Sequence, residues 1–121
     1  MSTDDAFSQP QPPTTIDTFF ECDLRVGTVL SARPNEKARK PALVLEVDFG
    51  PLGVKTTSAQ IRDLYEGDVL VGRQIVGVVN FSPKKVADVT SEFLILGGCA
   101  DGEPIVLLHP ERTVANGTRI A

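Results

Sequence analysis

The chain is poor in the residue types that build metal centres. Its 121 residues include two cysteines, one histidine and no tryptophan. Cys22 and Cys99 form no CxxC pair and have no histidine beside them, so a structural zinc or other metal site is not expected. We expect both thiols to be reduced and partly buried, as is usual for intracellular chains.

Long apolar runs are also missing. No stretch approaches the ~18 consecutive apolar residues of a membrane-spanning helix. Residues 1–13 lack the charged-then-apolar pattern of a secretory signal. The sequence therefore predicts a cytoplasmic protein without membrane insertion.

A catalytic site is not expected either. His109, the only histidine, stands in an apolar segment before Pro110, and no nucleophile is placed beside it. Gly97-Gly98 lacks the third glycine, or the following Lys-Ser/Thr, that phosphate-binding loops require. The sequence predicts a protein that is not an enzyme and uses no cofactor.

The chain does contain enough apolar material for one core. At 41% hydrophobic residues, a chain of this length folds as one domain without disulfides or metal. The net charge of −4 argues against a general nucleic-acid binder. However, five of the 16 acidic residues lie in residues 1–23, which contain no Lys or Arg. Residues 24–121 therefore contain 11 acidic and 12 basic residues and are close to neutral. A local basic patch, formed by Arg33, Lys37, Arg39 and Lys40 against Glu36, is therefore compatible with an acidic chain.

Residues 1–15 and 16–121 are predicted to be separate units. The first 15 are polar and acidic with three prolines, a composition typical of a flexible tail. After them, the Thr18…Glu21 spacing fits a capping box and predicts one short helical turn.

A second short helix is predicted near the middle of the chain. Residues 57–60 repeat the capping-box spacing, and Ile61, Leu64 and Tyr65 follow at helical intervals before Gly67.

The remaining parts of residues 16–121 are predicted to form strands. Residues 24–33 alternate with a period of two and predict a strand that buries its even-numbered residues, while residues 43–49 predict one that buries its odd-numbered residues. Further strands are expected at residues 54–56, 74–81, 92–97 and 104–109. Five or six short strands, with a helix after the third, favour an all-β fold, a five-stranded oligonucleotide/oligosaccharide-binding (OB) barrel, although an open meander also fits the periodicity.

Binding is better supported than catalysis. The fourth strand ends in an amide, an aromatic ring, a proline and two cations (Asn80-Phe81-Ser82-Pro83-Lys84-Lys85), which together suit an extended polar chain. Arg39-Lys40-Pro41 precedes the second strand, so one barrel face can gather both cationic clusters. The alternative is that Phe81 plugs the barrel end and the lysines are simply solvated.

Several short motifs occur in order along the chain and carry a family resemblance. They are Phe20, Asp23-Leu24-Arg25-Val26-Gly27, Ala38-Arg39-Lys40-Pro41-Ala42, Asp48-Phe49-Gly50, Ser58-Ala59-Gln60-Ile61, Asn80-Phe81-x-Pro83, Ser91-Glu92-x-Leu94-x-Leu96-Gly97 and Asn116-Gly117-Thr118. Jointly, over residues 16–121, they resemble the CsaA family, the export-related chaperone branch of the tRNA-binding domain superfamily.

The resemblance implies an OB barrel without enzymatic activity that forms a homodimer through segments around the barrel's ends. It also implies binding of unfolded or signal-bearing preproteins, and contact with the translocation ATPase, in a bacterial or archaeal cytoplasm.

Relatives in the superfamily, including the appended domain of methionyl-tRNA synthetase, bind tRNA, so a tRNA-binding module is the alternative. Where that branch usually reads Lys-His-Pro-x-Ala-Asp, this chain has Arg39-Lys40-Pro41-Ala42-Leu43-Val44. Where it usually reads Ser-x-Gly-Met, this chain has Ser91-Glu92-Phe93-Leu94. Both differences favour the chaperone branch.

By motif position, the resemblance implies one face that binds peptide or tRNA. Its amide and hydroxyl groups would pair with a peptide backbone, its ring would cover an apolar side chain, and its lysines would favour acidic segments. The implied residues are Lys40, Ser58, Gln60, Asn80, Phe81, Lys84, Lys85 and Ser91.

Overall fold

The computed structural model describes residues 9–121, so the first eight residues of the predicted tail lie outside the described part. Within these described residues, two short helices and nine strands follow one another. They are α1 (Ile16–Phe20), β1 (Leu24–Pro34), β2 (Leu43–Asp48), a 3-10 turn (Gly50–Leu52), β3 (Val54–Ala59), α2 (Gly67–Leu70), β4 (Gln74–Val78), β5 (Lys84–Val86), β6 (Val89–Ser91), β7 (Leu94–Ile95), β8 (Gly97–Gly98) and β9 (Val106–Leu107).

Five strands form one antiparallel sheet in the order β3-β2-β1-β4-β7. The long β1 pairs with β2 along one edge and with β4 along the other. β5–β6 and β8–β9 form two separate hairpins. The sheet curls into a nearly closed barrel, which confirms the predicted all-β, OB-type fold.

Residues 91–93 close the barrel against the outer edge of β3. The Glu92 amide donates to the Thr56 carbonyl at 2.7 Å, and the Thr56 amide donates to the Glu92 carboxylate (Oε1) at 3.0 Å. The Thr57 hydroxyl donates to the Phe93 carbonyl at 2.8 Å. These bonds satisfy an edge that would otherwise expose unpaired backbone groups.

The main core lies inside the barrel. Its members are fully or almost fully buried apolar residues: Val29, Leu43, Leu45, Val47, Phe49, Ile61, Leu70, Ile75 and Phe93. The rings of Phe49 and Phe93 meet edge to face with centroids 5.0 Å apart. The inward set predicted for residues 43–49 is therefore confirmed.

The even-numbered face predicted for β1 is correct for the buried Leu24 and Val26 but wrong beyond them. The register of β1 against β2 shifts just after Val29, and Val29 packs in the barrel core. Leu24 and Val26 lie in a second cluster, covered by Val114 and Ile120 near the C-terminus, while Leu30 is 46% exposed. A bulge changes which residues face inward, so one alternation cannot describe the whole strand.

The helical turn near the N-terminus is confirmed, but its predicted cap is wrong. The N-cap is Thr15, whose hydroxyl oxygen accepts from the Thr18 amide at 3.2 Å. Thr18 is inside α1, because the helix begins at Ile16.

The second helix is also displaced from its predicted position. Thr57 and Ala59 belong to β3, where they pair with β2, and α2 begins at Gly67 instead of ending there. Pairing with β2 on one edge of β3 and hydrogen bonds to residues 91–93 on the other override the local helical signal.

No helix in residues 9–121 is long and apolar enough to cross a membrane. Both cysteines are free: Cys22 is half-buried, as expected, whereas Cys99 is exposed, contrary to expectation.

Gly27 generates a stability prediction. A Cβ at Gly27 would lie 2.6 Å from Val47 Cγ1 and 2.8 Å from Phe49 Cδ1. Such overpacking costs about 1–3 kcal/mol, so Gly27→Ala is expected to lower the free energy of unfolding by that amount in urea denaturation. Gly98→Ala is the matched control, because its nearest atom, the Val106 carbonyl oxygen, would be 3.7 Å from the new Cβ. Equal stability of the two variants would contradict the packing described.

Candidate ligand-binding cleft

A cleft of about 920 Å³ opens beside the closing edge of the barrel. One wall is the loop of residues 35–42 between β1 and β2, here called the cationic loop; another is the end of β3, and the third is the segment of residues 94–99. Its apolar lining includes Ile61, Leu94, Ile95 and Ile105, and its polar lining includes Ser58 and Gln60. The cations of the loop, Lys37, Arg39 and Lys40, stand along the rim.

Asn35 fixes the base of the cationic loop. The residue is 94% buried, its Nδ2 donates to Ser58 Oγ at 2.9 Å, and its Oδ1 accepts from the Lys37 amide at 3.3 Å. Its backbone amide donates to the Ala42 carbonyl at 2.9 Å. Asn35 therefore ties both ends of the loop together and attaches them to β3.

Ser58 connects this anchor to the hairpin β5–β6. Its hydroxyl oxygen accepts from Asn35, while its amide donates to Ser91 Oγ at 3.0 Å. Ser91 in turn pairs with Lys84 across the hairpin. A change at Ser58 therefore reaches both the loop and the hairpin.

An exposed ion pair joins the cationic loop to the turn of that hairpin. Lys37 Nζ contacts Asp88 Oδ2, and Ala87 beside it also lines the cleft. The hydrogen bond and charge of the partner raise the pKa of Lys37 and lower the pKa of Asp88. The pair's contribution is thus present between the ordinary values of 3.8 and 10.5, and is lost as pH falls through the lowered pKa of Asp88 or rises through the raised pKa of Lys37. Because both groups are exposed, this contribution is small.

The structure brings three of the eight predicted site residues together in the cleft. Lys40, Ser58 and Gln60 line it. Ser91 lies directly behind Ser58, and Lys84 and Lys85 stand on the exposed hairpin strand β5. Asn80 and Phe81 do not line the cleft.

Asn80 is engaged within the protein. Its Oδ1 accepts from the Asp23 amide at 2.9 Å, and its Nδ2 donates to the Glu21 carbonyl at 2.8 Å. The amide thereby holds the connection between α1 and β1 against the end of β4. Phe81, next to it, is 50% exposed and therefore does not plug the barrel end.

The sequence analysis did not predict a site role for Asn35, which anchors one wall of the cleft, or for Leu94, which lines it. Asn35 follows Pro34 at a strand end, and its bond to the amide of Lys37 is an Asx turn, which a Pro-Asn pair before polar residues can signal. Leu94 is 50% exposed on a two-residue strand, and no local pattern separates it from core leucines.

The arrangement suits holding rather than reacting. Apolar side chains of the cleft can cover apolar groups of a ligand, and its cations can attract carboxylates or phosphates. Within residues 9–121, no group of three His, Cys, Asp or Glu side chains is placed to hold a metal ion. His109 does not line the cleft.

A nearly closed OB-type barrel with a cation-rimmed cleft defines a binding module. The family model described as "Putative tRNA binding domain" matches residues 24–119. The chain belongs to this tRNA-binding domain family and, within it, is of the CsaA type.

Two solved structures support that assignment. The chaperone CsaA of Bacillus anthracis is 47% identical, with a TM-score of 0.86 over 91% of this chain and 100% of that one. The CsaA chaperone protein of Picrophilus torridus is 38% identical, with a TM-score of 0.84 over 90% of this chain and 100% of that one.

Curated relatives include much longer proteins. The methionine–tRNA ligase of Methanococcoides burtonii is 33% identical over 106 residues, which are 88% of this chain and 15% of the ligase. That of Xanthomonas campestris is 37% identical over 113 residues, 88% of this chain and 16% of the ligase. The chain thus spans about 15% of the length of these relatives.

The Asn35 anchor generates a prediction for the cationic loop. Asn35→Ala removes both side-chain hydrogen bonds at the loop base, each worth about 1 kcal/mol. Local opening of the loop should therefore rise by roughly fivefold or more, and trypsin cleavage after Lys37 or Arg39 should accelerate to match. Limited proteolysis under native conditions measures this.

Glu36→Ala is the control, because Glu36 is an exposed side chain of the same loop. Its cleavage rate should equal that of the unmodified chain. If Asn35→Ala cleaves no faster than this control, the loop is held by something other than Asn35.

Proposed function

We propose that the chain is a CsaA-like chaperone that binds unfolded or export-destined preproteins in the cytoplasm as a homodimer, without catalytic activity. The observation that carries the proposal is a cleft with apolar lining and a cationic rim, in a chain that covers the full length of a CsaA chaperone at 47% identity.

The cleft has the chemistry for an extended polypeptide of loosely defined sequence. Leu94 is half exposed, and Ile95 and Ile105 are partly buried beside it, so an apolar client side chain would remove all three from water. Gln60 is exposed and offers an amide to a client backbone. With few directional groups, affinity rests on apolar burial, and specificity is low.

The cationic rim extends the range of clients. Within residues 9–121, Arg39 and Lys40 have no acidic partner. Lys37 of the same loop, by contrast, forms a salt bridge with Asp88. They would favour acidic segments or a carboxylate next to an apolar stretch. Transfer of bound clients to the translocation ATPase, as the family resemblance implies, is part of the proposal.

A second candidate function is tRNA binding without catalysis. Arg39 and Lys40, which have no acidic partner within the described residues 9–121, favour it, as do the family model and the likeness to methionine–tRNA ligases. Phosphate contacts need such cations, and a dimer would present two loops at once.

The proposed homodimer is supported by apolar side chains exposed at one end of the barrel. Ile16, Phe19 and Phe20 on α1 are 73%, 45% and 40% exposed. Arg119 covers part of this helix, with its guanidinium 5.7 Å from the Phe20 ring centroid and its Nη2 donating to the Phe20 carbonyl. Contiguous apolar surface of this kind is usually buried in an interface.

Replacement of Leu94 tests the chaperone proposal. Leu94→Ser removes half-exposed apolar surface from the cleft, and the affinity for a labelled unfolded preprotein should fall roughly fivefold or more. Leu108→Ser is the matched control, since Leu108 is 49% exposed and does not line the cleft. Fluorescence anisotropy measures both; equal affinities for the two variants would contradict binding in the cleft.

The salt response separates the two candidate functions. Binding by apolar burial should change little between 50 and 500 mM salt. Binding to tRNA should weaken steeply, with log affinity falling by roughly 0.7 to 0.9 per neutralised phosphate for each decade of salt. A steep response with tRNA, together with no binding of preprotein, would favour the tRNA-binding module.

Sedimentation tests the homodimer. The unmodified chain should sediment at twice the 13.0 kDa monomer mass. Phe19→Ser should shift it toward the monomer, because the exposed ring would be lost from the interface. Val54→Ser, which alters a 53% exposed apolar residue outside α1, is the control. A monomer at high concentration in the unmodified chain would contradict the proposal.

A further inference from the structure

A second cavity, of about 450 Å³, shares no lining residue with the cleft. It lies between α2, the start of β4 and residues 107–113. We propose that this cavity binds a small organic anion with a flat apolar body, such as a nucleoside monophosphate or an aromatic carboxylate. Its volume falls in the range of about 300–1,000 Å³ typical of small-molecule sites.

The inner part of the cavity is apolar and belongs to the barrel core. Leu70 and Ile75 line it and are each 1% exposed. Tyr65 lies beside them, and its hydroxyl oxygen accepts from the Leu107 amide at 3.0 Å, which fixes the ring. Because Leu70 and Ile75 lie beneath the surface, the partly buried Tyr65 and Leu107 provide the preformed apolar surface for a flat body.

A second wall is held equally firmly. Gln74 lines the cavity, its Nε2 donates to the Val114 carbonyl at 2.7 Å, and its Oε1 accepts from the Val114 amide at 3.1 Å. The side chain is thus locked to the segment that follows the cavity. Binding would require little ordering of the walls, which favours affinity for a small ligand.

The rim carries the groups that would recognise an anion. Arg73, His109 and Arg112 all line the cavity. Arg112 is paired with the neighbouring Glu111 at 2.6 Å, whereas the guanidinium of Arg73 has no hydrogen-bond or ion-pair partner within residues 9–121. Arg73 is therefore the group we assign to a phosphate or carboxylate, because its planar fork can bind either with two hydrogen bonds.

The composition of the chain provides unusually clean reporters. It has one histidine and one tyrosine, and both His109 and Tyr65 line this cavity. In a proton–carbon correlation spectrum of the isotope-labelled chain, each of these two residue types therefore gives the signals of a single ring. They report occupancy of this cavity and not of the cleft.

The test is a titration of the full chain with adenosine monophosphate and, separately, with benzoate, with both ring signals followed. We expect at least one probe to shift both ring signals saturably. Saturation with adenosine monophosphate indicates a phosphorylated ligand, and saturation with benzoate indicates a carboxylated one. Adenosine and inorganic phosphate, which each lack one half of the proposed ligand, should bind at least tenfold more weakly than the better probe.

Arg73→Gln should lower the affinity for the better probe roughly tenfold, which is the loss expected when a charge-assisted hydrogen bond is removed. Because Arg73 has no partner within the described residues, the substitution should leave the dispersed amide spectrum unchanged. Arg33→Gln, another exposed arginine that does not line the cavity, is the control and should bind as the unmodified chain does.

Any of the following results would overturn the proposal. The first is the absence of a saturable shift with either probe. The second is an affinity unaffected by Arg73→Gln, or inorganic phosphate acting as strongly as the organic anion. The third is a dependence of the ring signals on protein concentration together with a loss of their response to the probe. Such behaviour would mean that a second copy of the chain covers the cavity.

Discussion

The docking of residues 91–93 against β3 is the interaction on which the rest of the structure depends. Four hydrogen bonds join them, from the pairs Thr56–Glu92, Thr57–Phe93 and Ser58–Ser91. They close the barrel at an edge where regular strand pairing has ended. They also place the ring of Phe93 against Phe49 in the core.

The same docking forms the cleft. Ser58 receives the amide of Asn35 on one side and donates to Ser91 on the other, so the cationic loop and the hairpin are held to one strand. Leu94 follows directly after the docked segment and reaches the cleft as a consequence. Closure of the barrel therefore also builds the candidate binding cleft, and weakening the docking should weaken both.

The fold could be predicted from the sequence to the extent that its signals are local. The alternation of residues 43–49 depends only on the two faces of a single strand, and the structure confirms that its odd-numbered residues face the core. The predicted face of β1 fails after Val29 because a bulge arises from pairing with two neighbours. The predicted helix at residues 57–66 fails because β3 pairs with β2 on one edge and is hydrogen-bonded to residues 91–93 on the other, which a capping-box spacing does not reveal.

The candidate site divides in the same way. Lys40, Ser58 and Gln60 were predicted from motif and charge, and they meet in the cleft. The role of Asn35 depends on its bond to Ser58, more than 20 positions away, and the role of Leu94 depends on its exposure. Neither can be predicted from a short stretch of sequence. Asn80 has an amide suited to ligand binding, yet it bonds to the backbone of residues 21 and 23, more than 50 positions away.

Extended chains are proposed to bind in the cleft beside the cationic loop. The decisive measurement is a map of the backbone amide shifts of the labelled protein as an unfolded preprotein is added. We expect the shifts to be concentrated in residues 35–42, 57–61 and 94–99. Shifts concentrated in residues 80–85, or none at saturating preprotein, would contradict it.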